Sequence, residues 1–416
     1  MLKYALFFAA LVGVLSIPVR LRQRFSFSDA TVTEMFTASN PKYSGSLYVT
    51  STTGQLSVIV DKGTPQTLLN LQSRTASPPT NGGGIIGGIA VHPTMDQIYV
   101  SYTRDPTPTE TTMYRIMDGA TARDPKYIGQ VSRWEILSTG ALANEKRILS
   151  SPAYDNAENP IPELAFDKEG LLYIGVANTL WRAGGLKDPN MLADGSDNFF
   201  GKILRIDPNN QDKDTSLNYK IPESNVGRNI AGAKGEIYAS GFSSPHDFSW
   251  SEDGSLLVLD SNDSPFDDEL NMVKGGNFGF PTVVGKGVCY AKPNCKSVGT
   301  PAAVSMKYDA FGTAMLNGRI LVASKDAIYW YSQNSDVQDS IRLLDADGYS
   351  QLERFPNFVF TDLIRQKANG TVYVMGSGES QKTIIFSVVE DFKSAASVSR
   401  PAAMLLAICA VVMMVL

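Results

Sequence analysis

Residues able to do chemistry gather in one stretch of this chain, EIYASGFSSPHDFSWSEDGSLLVLDSNDSPFDDELNMVKGGNFGFP, from Glu236 to Pro281. Ser243, Ser244, Pro245, His246 and Asp247 fall at the start of a strand-like run, where a barrel or propeller places a ligand site. An imidazole there can accept or deliver a proton near neutral pH, which makes His246 the candidate base. Neighbouring residues on a strand point to opposite faces, so His246 and Asp247 are not expected to pair with each other. The chain's other histidine, His92, sits in a Val-His-Pro phrase before a strand and reads as structural. Downstream, Asp267, Asp268, Glu269 and Asn271, with the carbonyls around Asn277 and Phe278, offer oxygen atoms to a hard cation. Glu269, Asn271 and Phe278 are therefore the candidate calcium ligands; the competing reading is a solvated acidic turn.

The elements that must position these residues are short strands. Gly45 to Val60 reads GSLYVTSTTGQLSVIV, a strand, a Thr-Thr-Gly turn and a second strand with apolar residues at alternate places. The phrase of a polar-Gly turn followed by an aliphatic strand returns before Leu171, Ser255, Arg319 and Thr371. Recurrence of one hairpin unit, with no long stretch of helical period between copies, predicts an all-β, six-bladed β-propeller over residues 46–392. Two insertions, Thr103–Pro125 and Ala183–Asn198, read as long surface loops.

Composition excludes some partners. Of 416 residues, 37 are Lys or Arg and 42 Asp or Glu, a formal charge of −5 with no basic cluster beyond the first residues, so nucleic acid is excluded as a partner. Residues 1–16 have the positive start, apolar run and small residues of a signal peptide, and 17–45 form a lead-in. Residues 393–416 place Ser394, Ala395, Ala396 and Ser397 before an apolar tail, the order of a GPI-anchor signal. A retained single membrane helix is the alternative. These features predict a secreted, extracellular protein that meets the membrane only through its C-terminal anchor. With Cys409 in that tail, Cys289 and Cys295 remain as a pair suited to a disulfide, worth about 2 kcal/mol for so short a loop. Asn262 and Asn369 lie in Asn-x-Ser/Thr sequences and are the expected glycosylation sites.

Six phrases in order resemble the soluble quinoprotein glucose/sorbosone dehydrogenase family, whose propeller is also found in hedgehog-interacting proteins. They are GIIGGIAVHP, IYVSYT, ELAFDKEGLLYIG, GKILRIDP, EIYASGFSSPHDFSW and DELNMVKGGNFGFP. The resemblance implies a six-bladed propeller, with the quinone PQQ and calcium in the channel of the enzymatic members. In those members a His takes a hydroxyl proton as hydride leaves the sugar's anomeric carbon, and Arg side chains hold the quinone's carbonyls and carboxylates.

This chain departs from that pattern at the reacting positions. The family's His is replaced by Asn159, which cannot accept a proton near neutral pH. The family's Gly-Asp after the next strand is replaced by Ala177-Asn178, and its Arg-Asn-Pro-Gln by Ser243, Ser244, Pro245 and His246. A later Arg-containing phrase reads Phe358-Val359-Phe360-Thr361-Asp362, and Lys325 matches a cofactor-contacting Lys. Asn178, Ser243, Ser244 and Lys325 thus occupy the cofactor-binding positions. Loss of a general base costs a factor of about 100 to 10,000, and loss of charge stabilisation about 100 to 1,000 more. The expectation is a family propeller degenerate in its quinone-dependent site, acting as a binding module for a carbohydrate or a cell-surface protein, with calcium possible and PQQ doubtful. The alternative is an active PQQ- and calcium-dependent aldose sugar dehydrogenase with a divergent site around Asn159, Asn178, His246 and Lys325.

Overall fold

Strands with one apolar face are stable only when that face is covered, and a chain built of many such strands stacks them sheet against sheet. The computed structural model describes residues 19–27 and, with short interruptions, 32–280; beyond these it describes strands between 283 and 390. Residues 1–18 and 391–416 lie outside the described set. So do Asn262, Cys295, Lys325 and Asn369, together with the signal and anchor segments expected at the two ends.

The chain begins with β1 (Val19–Phe27) and then lays down successive antiparallel sheets. The first holds β2 (Val32–Thr37), β3 (Ser46–Ser51), β4 (Gln55–Val60) and β5 (Gln66–Asn70). The second holds β6 (Ile86–Val91), β7 (Gln97–Arg104), β10 (Tyr127–Ile136) and β11 (Leu142–Ala153), with the hairpin β8 (Ile116–Asp118) and β9 (Thr121–Arg123) inserted after β7. The third holds β12 (Glu163–Phe166), β13 (Leu172–Val176), β14 (Lys202–Ile206) and β15 (Ile237–Ser240), extended by the parallel β19 (Gly276–Asn277). The fourth holds β16 (Ser244–Trp250), β17 (Leu256–Ser261), β18 (Asp268–Val273) and β22 (Val304–Met306). A small hairpin of β20 (Val283–Val284) and β21 (Val288–Cys289) precedes β22. Then come β23 (Ala310–Leu316), β24 (Arg319–Ser324), β25 (Ile328–Ser332) and β26 (Ser335–Ile341). The last sheet is β28 (Val359–Arg365), β29 (Val372–Ser377), β30 (Thr383–Glu390) and β1, with β27 (Leu343–Asp345) parallel outside β1.

The result is a mostly β-strand propeller arrangement, with four of its sheets carrying the four strands of a blade. The first strands of successive sheets, β2, β6, β12, β16, β23 and β28, lie beside one another in that order, and β28 returns to β2. Apolar layers fill the space between sheets: Tyr99, Val131, Leu149, Ile161, Leu164 and Ile174 between the second and third, and Tyr173, Ile203, Phe242, Val258 and Phe278 between the third and fourth.

Closure is made by β1. It runs antiparallel to β30 from Val19 opposite Glu390 to Phe27 opposite Thr383, so the N-terminal strand completes the C-terminal sheet. Residues 19–27 and 32–37, placed in a lead-in by sequence, are thus strands of the first and last sheets. The region Thr103–Pro125, read as a loop, contains a helix, Pro108–Met113. Its N-terminus is a full capping box: Thr107 Oγ1 accepts from the Glu110 N–H and the Glu110 carboxylate accepts from the Thr107 N–H, with Pro108 in the first turn. Arg104, at the end of β7, holds the same Glu110 carboxylate with two guanidinium nitrogens.

His92 is structural, and its ring state follows from its neighbours. Nδ1 accepts the N–H groups of Thr94 at 3.1 Å and Met95 at 3.0 Å, so the proton sits on Nε2, and the Asn209 carboxamide 2.8 Å from Nε2 accepts it in the orientation that turns its oxygen to the ring. Phe166 packs edge-on at 4.9 Å, and burial lowers the imidazole's pKa. A second proton would have no place on Nδ1. The folded state therefore loses stability as pH falls through the ordinary histidine range, because the unfolded chain takes up the proton first. Urea unfolding of wild type and H92Q between about pH 7.5 and pH 5.5, around the usual value of ~6.5, should show the wild type's stability advantage shrinking toward the acid end. Deleting residues 19–27 leaves β30 as a bare edge and should lower the thermal midpoint by several degrees in a scanning experiment.

Candidate functional site

The strand starts β12, β16 and β18 and the strand ends β13 and β17 all fall at one end of the sheets, because neighbouring strands run antiparallel. That end carries Asn159, Asn178, Thr179, Ser243, Ser244, Asp260, Asp268 and Glu269, along with the helix-bearing insertion after β7.

Backbone contacts tie these residues together. The Asn178 N–H donates to the Ser243 carbonyl at 2.7 Å, and the Ala177 N–H donates to the Pro160 carbonyl at 3.2 Å. The segment before β12, the end of β13 and the start of β16 are thereby held as one unit. Glycines permit the close approach: a Cβ on Gly175 would sit 2.5 Å from the Pro245 carbonyl oxygen. Gly241, at φ +79°, turns the chain into Ser243, and a Cβ there would meet the Asn277 side chain at 2.4 Å.

Asn159 is buried, with Oδ1 accepting the Ile161 N–H at 3.2 Å. Its Nδ2 is buried without a hydrogen-bond partner, close against Gly87, and the Thr179 hydroxyl, just past the end of β13, is likewise buried and unpartnered. Leaving a buried donor unmet costs on the order of 1–3 kcal/mol, so such groups mark places where a polar molecule completes the structure. Asn178 is buried beside them.

Sequence reasoning missed the residue that organises the start of β16. Asp260, buried at the end of β17, accepts the Ser243 N–H at 3.1 and 3.0 Å and the Ser244 N–H at 2.6 Å. Its signal was present: LLVLDS is an apolar strand that ends on an acid. Asp260 stands directly across from Glu269 on β18, and both are buried, as is Asp268. Burial first, then the charges of Glu269 and Asp268, push the Asp260 carboxyl well above the usual carboxylate range.

His246 is placed differently from a regular strand residue. Pairing jumps from Pro245 opposite Asp260 to Asp247 opposite Leu259, so His246 is the extra residue of a β-bulge. Alternation of faces does not apply across it, which removes the basis for setting His246 and Asp247 on opposite sides. Its Nδ1 lies 3.2 Å from the Ser244 carbonyl and 3.2 Å from the Ser261 hydroxyl. A carbonyl can only accept, so Nδ1 carries a proton and donates it to Ser244. The bulge belongs to a pattern. β2, β6, β23 and β28 also break register once near their starts, and Thr361 on β28 is bulged as His246 is on β16, each followed by Asp.

Glu269 and Asn271 are joined, Asn271 Nδ2 donating to Glu269 Oε2 at 3.3 Å, while Asn271 Oδ1 is buried without a partner. Phe278 is a packing residue, its ring stacked on Phe242 at 4.9 Å. Among the described residues no group of three or more His, Cys, Asp or Glu could hold a metal ion. Of the two cysteines, Cys289 lies on the small hairpin and its expected partner Cys295 outside the described residues.

Removing the Asp260 carboxylate strands two buried N–H groups. D260A should lose on the order of 3 kcal/mol of unfolding free energy in urea titration, and D260N, which keeps one oxygen acceptor, clearly less.

Comparison with known proteins places this geometry. The sequence model described as glucose/sorbosone dehydrogenase matches residues 37–334. A stretch of 88 residues is 34% identical to quinoprotein glucose dehydrogenase B of Acinetobacter calcoaceticus, covering 21% of this chain and 16% of that protein. Among solved structures, the soluble aldose sugar dehydrogenase of Escherichia coli in its apo form superposes with a TM-score of 0.62 at 16% identity, over 90% of this chain and 100% of that one. A glucose dehydrogenase of Thermus thermophilus gives 0.63 at 17%, over 89% and 100%. The PQQ-bound aldose sugar dehydrogenase of Streptomyces coelicolor gives 0.61 at 14%, over 89% and 98%. At these identities the structural likeness speaks to the fold.

Proposed function

The chain belongs to the glucose/sorbosone dehydrogenase family, and from that premise we propose that it is a six-bladed propeller, secreted and held at the cell surface, whose channel end binds a neutral carbohydrate without oxidising it. Counting the two five-stranded sheets as blades alongside the four-stranded ones gives the six. The observation that carries the reading is Asn159. At the position of the family's catalytic His it presents a buried amide N–H with no partner, a donor suited to a hydroxyl oxygen and unable to take a proton. The Thr179 hydroxyl adds a second unmet polar group of the same uncharged kind.

The quinone of the enzymatic relatives does not fit the described residues. An anionic cofactor needs cationic or N–H donors, and at positions 243 and 244 the side chains are hydroxyls while the N–H groups are already taken by Asp260. Buried acids, Asp260 on β17 and Asp268 and Glu269 on β18, stand on the strands paired beside that position, a set that offers an anion no positive charge. Calcium fits better. Glu269 and the unpartnered Asn271 Oδ1 would supply two oxygen ligands and neutralise part of the buried charge, leaving the remaining coordination to carbonyls or water.

A second reading, an active aldose dehydrogenase with His246 as base, is favoured by the bulge that carries His246 and by the carbonyl that fixes a proton on Nδ1. The two readings separate in paired assays. With quinone, calcium, an aldose panel and an electron acceptor, the binding module gives no quinone-dependent dye reduction. Reduction that disappears in H246A would overturn it. In calorimetric titration of neutral oligosaccharides, N159A should bind about tenfold more weakly than wild type, the equivalent of about 1.4 kcal/mol.

A further inference from the structure

The end of the sheets opposite the candidate site has a distinct surface. Exposed large apolar side chains are normally scattered singly over a protein. Among the described residues they are Val60, Met95, Met113, Leu137 and Ile230. Met113 belongs to the helix on the site end. The other four lie at the far end: Val60 closes β4, Met95 is in the turn between β6 and β7, Leu137 follows β10, and Ile230 is in the connection from β14 to β15. Exposed Lys234 stands at the same end, as does Lys168, which lies 3.6 Å from the exposed Glu169 carboxylate.

Chain direction adds an independent observation. β28 starts at the site end, β29 returns to it and β30 leaves it again, so β30 finishes at Glu390 on the far end, opposite Val19. The residues after Glu390 are the small Ser394–Ser397 group and the apolar run Ala402–Leu416. The last described strand therefore delivers the chain to the far end.

We propose that this far end is a membrane-docking face, occupied by the surface of the phospholipid bilayer to which the C-terminus is attached, so that the channel end with Asn159 and Ser243 is presented away from the lipid. The proposal rests on the reading of the C-terminal segment as a membrane attachment. Turn tips bearing Met, Leu and Ile can enter the boundary between headgroups and acyl chains, and lysines beside them meet lipid phosphates, the composition of an interfacial surface. A second protein copy would bury the same side chains, but it gives no reason for the chain to end on this face.

The test uses the full chain with Cys409 replaced (C409S), reconstituted into phosphatidylcholine vesicles and carrying one environment-sensitive fluorophore at L137C, I230C or M113C. A lipid bearing a quencher at the headgroup boundary should quench the labels at positions 137 and 230 several-fold more than the label at 113. Equal quenching, or stronger quenching at 113, overturns the docking face. If the chain stays in solution the attachment reading fails, and the face is then tested by cosedimentation of the soluble chain with the same vesicles. Binding lost in M95S/L137S/I230S supports the face, and absence of binding by wild type overturns it.

Discussion

A ring of sheets closes where the last sheet meets the first, and here the chain's two ends are tied by the pairing of β1 with β30 beside the contact of β28 with β2. Two segments more than 350 residues apart in sequence are fixed as neighbours over the whole length of β1, from Val19 at Glu390 to Phe27 at Thr383. Everything that depends on the ring depends on that join, including the succession of first strands around the axis and the alignment of loops at one end. The same join also fixes where the chain leaves the fold. Closure and polarity of the two ends are consequences of a single strand pair.

Within that frame the site is governed by where negative charge has been placed. Asp260 satisfies the two N–H groups that open β16, and Glu269 stands across from it on the next strand. The cost of burying these carboxylates is met by hydrogen bonds and by Asp260's tendency to hold a proton. An end of the channel organised by internal carboxylates is a poor host for an anionic cofactor and a tolerable one for uncharged hydroxyls. The unmet amide of Asn159 and hydroxyl of Thr179 fit that description.

Much of this was legible in the sequence. The recurring turn-and-strand phrase identified the blade, and Asn159, Ser243 and Ser244 marked positions at which the sequence departs from the family's pattern. What escaped was nonlocal or irregular. β1 has no signature that names β30 as its partner. The bulge at His246 exists only in the pairing of β16 with β17, so strand alternation, a rule for regular strands, does not set the relative faces of His246 and Asp247, and His246 meets Ser244 and Ser261 through Nδ1. The short helix was locally signalled: Thr107-Pro108-Thr109-Glu110 is a capping box with proline in its first turn, and the run of Pro and Thr around it obscured that. Asp260 was passed over because an acid at a strand end reads as surface until its two donors are seen.

The account's central claim is that the channel end has changed from holding an anionic quinone to accepting an uncharged ligand. Equilibrium titration of the purified full chain with PQQ in the presence of calcium, followed by the quinone's absorbance, tests this most directly. The account predicts no saturable spectral change in wild type. Saturable, calcium-dependent binding at one quinone per chain would contradict it.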